Sequence, residues 1–488
     1  MSAMNISLRV GYGLKPNEDA LTITSALTQL NSSARQIGVR SRSGSPIEKW
    51  PEELTYSLEE RVKEARLFRS SREQIRRNQN LNSEQKTTLL RRLRRESNLW
   101  HFDQLRFAHQ AIFGDDPVRQ RFMTFWWNHF SVGNTKGTRF YTGDLYWNVI
   151  GNGIKGTFTD LLYNVTKHPA MLTYLDNVYS VGENSDKGVR AKLNPDRKIR
   201  VGLNDNLARE LLELHSVSTS ANYTEADVKN TAKILSGWGW IFNGERVWKR
   251  LVQLGLTDLS EPFIDWHHEP GDKVVLGRTY STSILSSGQE NLRELIQDLA
   301  RNKHTIRHLS KKLCFHFINE DPSNEDIESI ESAWQDSNGD LGTVHQVVIE
   351  RAFKSNNQPK FQWPITWMFS ILRTFNANIF PGWEELSTDP FFDAGGSRVY
   401  REIGQNFWSK RQPDGFSLNQ EDWISSEHMD RRMRISNLAS SYGSPSISSN
   451  EIISKFEMTQ QTRKLVSKGR NEAEKFTLLT CSPEFMGA

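Results

Sequence analysis

Asn204-Asp205-Asn206-Leu207-Ala208-Arg209-Glu210-Leu211-Leu212-Glu213-Leu214-His215-Ser216 is the stretch on which the fold reading turns. Asn204 or Asp205 is the expected N-cap, because either side chain can accept from a first-turn N–H. The helix is expected to run to about Ser216. At about 100° per residue, Leu207, Leu211 and Leu214 share one side with Ala208 and Leu212 beside them. Asn206, Arg209, Glu210 and Glu213 form one polar stripe, and His215 lies among the apolar residues. Glu213 and His215 point nearly opposite ways, so Glu210, Glu213 and His215 cannot ligate one metal from this helix alone. The stripe is either a solvated face with an Arg209–Glu213 pair at i,i+4 or the polar floor of a cleft.

Around this helix the chain reads as mainly α. Helices are predicted over Leu58–Arg77 and Ser83–Glu96, the second with Ser83 as N-cap, then over Trp100–Phe113, Val118–Phe130, Thr157–Tyr174 with a break at His168-Pro169, and from the N-cap Thr224 to Ser236. Further helices are predicted over Gln289–Arg301, Ile306–Ile318, Asn324–Asp336, Leu341–Ala352, Trp363–Phe375 and Met429–Leu438. Asn243-Gly244 between Trp240-Ile241-Phe242 and Val247-Trp248 signals a β-hairpin, and the region continues through a turn at His268-Glu269-Pro270-Gly271 into a short strand. The expected organisation is an N-terminal helix with a flexible linker (1–50), a helical core (51–237), a small β-hairpin subdomain (238–283) and a C-terminal helical region (284–488). Residues 31–46, 182–200 and 439–449 read as loops from their polar, Ser- and Gly-rich composition.

The 488 residues carry 62 basic and 58 acidic side chains, a net charge of +4, which gives no general argument for nucleic acid or an anionic membrane. The most basic segment holds Arg66, Arg69, Arg72, Arg76 and Arg77 and then Arg91, Arg92, Arg94 and Arg95. Interleaved Glu59, Glu60, Glu64, Glu73, Glu84 and Glu96 make it a salt-bridge-laced solvated face, with no aromatics spaced for base stacking. Fifteen Trp and twenty-five Phe in a polar chain imply an aromatic core. Two cysteines, Cys314 and Cys481, form neither a metal motif nor a disulfide framework. No apolar run is long enough to span a bilayer, and no secretory signal is read at Met1–Val10, which as written implies a cytoplasmic protein. There is no phosphate-binding glycine loop and no nucleophile elbow.

Polar groups embedded in apolar surroundings mark the remaining candidates. Asn128 and His129 sit in Phe125-Trp126-Trp127-Asn128-His129-Phe130, either as buried structural groups or as a site wall. Of the adjacent His267 and His268, which cannot both face one site, His268 is preferred. His304, Lys311 and Lys312 are expected at the surface.

The stretches Trp126–Phe130, Asn204–Ser216, Tyr223–Val228 with Ser236-Gly237-Trp238, and His268–Gly277 resemble the bacterial domain-of-unknown-function family DUF1800. Gly404-Gln405, Pro413-Asp414-Gly415 and Ser482-Pro483-Glu484-Phe485 extend that resemblance along most of the chain. The chain departs from the family pattern at Trp127, where His is frequent, at Glu269, where Asp is frequent, and at Ser218, where Gly is frequent. The resemblance implies a frequently exported protein, hence a periplasmic or secreted location, and a sulfatase-like protein partner.

The motif positions are Asn128, His129, Asn206, Arg209, Glu210, Glu213, His268, Asp272 and Lys273, expected to converge on one cleft. His129, Glu210, Glu213 and His268 are the expected catalytic groups, with either Glu as general base or ligand to a divalent metal and the two His as acid–base groups or ligands. Asn128, Asn206, Arg209, Asp272 and Lys273 are the expected substrate-binding groups, the cations taking a phosphate, sulfate or carboxylate. The competing reading is a non-catalytic partner or assembly factor in which the same residues form a buried network.

Overall fold

A computed structural model gives the fold and describes residues 3–32, 35–44, 48–97, 99–135, 137–197, 200–239, 253, 258–281, 288–355, 360–388, 397–456 and 458–487. The Asn243-Gly244 hairpin lies outside the described residues. The helices that carry the site are α1 (Leu58–Arg77), α2 (Ser83–Glu96), α3 (Leu99–Phe113), α4 (Pro117–Phe130), α5 (Asn206–Glu213) and α6 (Glu225–Leu235). They are followed by α7 (Gly288–Arg301), α8 (Lys303–Phe317), α9 (Asn324–Asp336), α10 (Leu341–Lys354), α11 (Pro364–Thr374) and α12 (Ser426–Tyr442). The chain is mainly α.

Cap chemistry sets these boundaries. Ser57 and Glu60 form a capping box at the start of α1, and Asn82 and Gln85 form one at the start of α2. Thr224 and Asp227 do the same for α6, while Pro117 and Pro364 occupy the first turns of α4 and α11. The α1–α2 hairpin packs along itself, and α7, α8, α9 and α10 pack against one another in sequence.

The sheets are small. β1 (Ile37–Gly38) pairs antiparallel with β2 (Glu48–Lys49), and β3 (Lys273–Val275) pairs antiparallel with β4 (Arg278–Tyr280). The β3–β4 turn uses left-handed Leu276 and Gly277, with φ of 49° and 81°, the geometry of a tight two-residue hairpin. β1 falls in the stretch expected to be a flexible linker. It is fixed because Gln110 of α3 accepts from the Ile37 N–H at 2.9 Å and His109 accepts from the Val39 N–H at 3.3 Å, so two buried backbone donors find partners on a rigid helix. Residues 182–200 and 439–449 also hold helix, over Asp186–Leu193 and to the end of α12 at Tyr442.

Buried apolar side chains form one continuous cluster from Ile6 to Phe485. Its centre is aromatic: Phe107 stacks on Phe407 with ring centroids 5.3 Å apart, and Trp127 and Tyr146 both pack on Trp408. Buried cations tie distant segments to it. Arg61 and Asp103 make a two-bond ion pair at 2.7 and 2.8 Å, and Arg373 donates to the carbonyls of Gly13, Ile112 and Gly114 and to Glu18.

Candidate functional site

The end of α4 builds one wall. Trp127 is core, its indole N–H donating to the Phe407 carbonyl at 3.3 Å. Asn128 is a clamp: its Nδ2 donates to the Phe416 carbonyl at 2.9 Å and its Oδ1 accepts from the Phe416 N–H at 2.7 Å. The loop it holds approaches so closely that Gly415, at φ 74°, has no room for a Cβ, which would lie 2.3 Å from the Asn128 carbonyl. The clamp uses half of the four bonds an Asn side chain can make.

His129 is buried, with Nε2 3.3 Å from the His215 carbonyl and Nδ1 3.0 Å from Lys312 Nζ. A carbonyl only accepts, so Nε2 carries the proton and Nδ1 accepts from Lys312. The His129 pKa lies well below its ordinary value through burial, then through Lys312. His215, 1% exposed, is depressed to about 3 by burial and by Lys312, and His308 to about 4 for the same two reasons. The Nε2 atoms of His215 and His308 have no hydrogen-bond partner within the protein. Three neutral imidazoles thus surround one half-buried ammonium. Burial lowers the Lys312 pKa to about 8, with Asp414 opposing the shift.

α5 supplies the carboxylates. It ends at Glu213 rather than Ser216, because the His215 N–H bonds the Glu210 carbonyl and the Ser218 N–H bonds the Leu212 carbonyl, which turns the chain. That turn brings His215 inward against His129, ring centroids 6.0 Å apart. Glu213 accepts from the Tyr223 hydroxyl at 2.8 Å. Glu210 is half-buried, and burial followed by repulsion from Glu213 raises its pKa, with Asp414 adding to the effect. Asp414, on the loop clamped by Asn128, pairs with Lys410 at 3.3 Å and is within electrostatic reach of Lys312, Glu210 and Tyr174.

Arg209 and Asn206 lie on the outer edge. Arg209 is a surface pair partner, donating to Glu225 at 2.9 and 3.0 Å and to Asp205 at 3.4 Å; exposed pairs of this kind contribute about 0–1 kcal/mol. Asn206 is exposed.

His268 and Lys273 form a second constellation. His268 Nδ1 donates to the Ser236 carbonyl at 2.8 Å and Nε2 accepts from Lys273 Nζ at 3.0 Å, so both ring nitrogens are engaged. Burial and then Lys273 lower its pKa to about 4, and burial lowers that of Lys273 to about 8. Glu269 accepts from the Asn184 backbone and side chain at 3.0 and 2.6 Å, and Asp272 is exposed. This network sits at the Ser236 end of α6, whereas Arg209 binds Glu225 at its start. Eleven residues of helix, about 16 Å, separate the two ends. Lys312 and His215 thus surround His129, Glu210 is related to that group only through Asp414, within electrostatic reach of both Lys312 and Glu210, and His268, Lys273 and Asp272 belong to the separate network at the Ser236 end of α6.

Lys312, expected at the surface, is the group that sequence reasoning passed over, while its neighbour Lys311 is exposed. The signal was present: Leu309, Lys312, Leu313 and His316 follow the i, i+3, i+4, i+7 spacing of the inward face of α8, with His308 one turn before Lys312. A second polar constellation was also passed over. Asp144 accepts from His168 Nε2 at 3.0 Å and from Asn148 at 2.7 Å beside a cavity of about 440 Å³. His168 Nδ1 accepts from the Ala170 N–H, so neither of its nitrogens is free.

Among the described residues, no group of three or more His, Cys, Asp and Glu side chains is arranged to hold a metal ion. Among the described residues, no helix is long and apolar enough to cross a membrane. No curated protein and no solved structure matches the chain. The family model described as "Protein of unknown function (DUF1800)" matches residues 6–487, essentially the whole length, and the chain belongs to that family.

Proposed function

We propose that the protein is an enzyme whose proton-transfer centre is Lys312 with His129, acting on a substrate that carries a phosphate, sulfate or carboxylate. One observation carries the reading: Lys312 Nζ stands 3.0 Å from the Nδ1 of a buried, neutral His129. An ammonium whose pKa has fallen to about 8 is still mostly charged at pH 7 and so attracts an anion, yet it gives up its proton far more readily than an ordinary lysine. Lys312 is the general acid and anion anchor. Glu210, with its raised pKa, is the complementary base, Glu213 tunes it by charge, and Asp414 borders the same space.

His268, Lys273, Arg209, Asn206, Asp272 and Asn128 have supporting roles in this reading, as clamps and struts outside the reacting group.

The test is calorimetric binding of inorganic phosphate, sulfate and citrate to the wild type and to Lys312→Met and Glu210→Gln. The reading expects at least one of the anions to bind the wild type and Lys312→Met to weaken it at least tenfold while remaining folded. Equal affinities in wild type and Lys312→Met for every anion would overturn it.

A second reading, as an assembly partner of a sulfatase-like protein, draws support from the helix Asp186–Leu193, where Val189 and Leu193 share a face at i,i+4 and are 45% and 75% exposed. Co-elution of the two proteins that is lost on Leu193→Asp, with Lys312→Met eluting as the wild type does, would favour this reading.

A further inference from the structure

The helix Ala3–Val10, α4, α8 and residues 360–363 meet at a small buried cavity one helical turn along α8 from Lys312, lined by Arg9, Arg121, His316, Lys360, Gln362 and Trp363. The four basic side chains are only 2%, 4%, 4% and 8% exposed. Arg121 and His316 are not fully compensated. Lys360 Nζ donates to Glu320 at 2.6 Å, and Arg9 donates to the Ser355 carbonyl at 2.8 Å. Arg121 donates to the Thr366 hydroxyl at 3.0 Å and reaches the Arg9 carbonyl at 3.5 Å. Among the described residues no carboxylate lies within ion-pair distance of Arg121. Its Nε, and the Nε2 of His316, have no hydrogen-bond partner in the protein.

Arg121 and Lys360 thus have one carboxylate between them, Glu320 on Lys360, and a buried charge without a counter-charge is strongly disfavoured. A water molecule could satisfy the two orphaned nitrogens but not the excess charge. The cavity volume of about 10 Å³ is room for about one water-sized sphere, too little for a sulfate, phosphate or carboxylate group. We propose that this cavity binds a single monatomic anion of the halide class, held by the N–H groups of Arg121 Nε and His316 Nε2, with Arg9 and Lys360 supplying the surrounding positive field. Because the four side chains come from segments far apart in sequence, the anion acts as a non-covalent cross-link of the whole fold.

The direct test is anomalous diffraction from crystals of the full chain grown with bromide replacing chloride. A bromide peak between Arg121 and His316 is the expected result, and no peak there, with bromide found at other positions, overturns the proposal. Thermal unfolding at constant ionic strength, with gluconate exchanged for chloride, supplies the solution counterpart. Well above the dissociation constant, each tenfold rise in chloride should raise the folding equilibrium constant about tenfold. His316→Phe should abolish that response, and because it leaves every cation in place it does not depend on whether Arg121→Gln folds. A chloride response equal in wild type and His316→Phe would count against the site.

Discussion

Lys273 makes the residue-scale physics testable without reference to activity. It is fully buried, donates to His268 at 3.0 Å, and has a pKa of about 8 against an ordinary value of 10.5. In the unfolded chain it keeps its proton up to the ordinary lysine range, so between about pH 8 and 10.5 the unfolded state binds more protons. Stability then rises with pH across that window, because the cost of burying the ammonium is relieved as it deprotonates. Urea unfolding at pH 7.5 and pH 9.5 should show the rise in the wild type, and Lys273→Met should flatten it. An unchanged slope in the variant would mean that Lys273 is not titrating in the fold. The same logic explains why His129, His215 and His308 are neutral: each lies in an apolar setting next to a lysine, and both influences disfavour the imidazolium.

At the scale of elements, the loop before Phe416 and the end of α4 form one unit. Gly415 combines a left-handed backbone with the absence of space beside Asn128, so Gly415→Ala meets both strain and a clash. It should cost about 2–4 kcal/mol in equilibrium unfolding, displace Asp414, and thereby lower the Lys312 pKa further, since Asp414 holds it up. A variant as stable as the wild type would show that the clamp is not tight. Much at this scale was legible from the chain. The bounds of α1, α2 and α9 follow from helical periodicity, with Asn82 rather than Ser83 capping α2, and the break at His168-Pro169 follows from proline's missing N–H. β1 was not legible, because its backbone donors are satisfied by Gln110 and His109, residues about seventy positions away. Nor was the turn after Glu213, which depends on carbonyls of α5 accepting beyond the helical register.

At the scale of the molecule, the candidate centre belongs to no single segment. His129 arrives on α4, His215 on the turn after α5, Lys312 on α8 and Asp414 on the late loop, and one continuous core holds these elements. Sequence reasoning singled out the polar residues of α4 and α5 because they stand out locally. It could not foresee that Lys312, rather than His268, completes the group, since His268 looks equally well placed until its two nitrogens are seen to be spent on Ser236 and Lys273. The depressed pKa of Lys312 is therefore a property of the assembled fold. Competitive acetylation of the folded protein across pH 6 to 11, with the Lys312 peptide quantified by mass spectrometry, measures it directly. The account predicts half-maximal reactivity near pH 8, moving towards that of an ordinary lysine on unfolding in urea. A Lys312 that titrates near 10.5 in the folded protein would contradict the proposed proton-transfer centre.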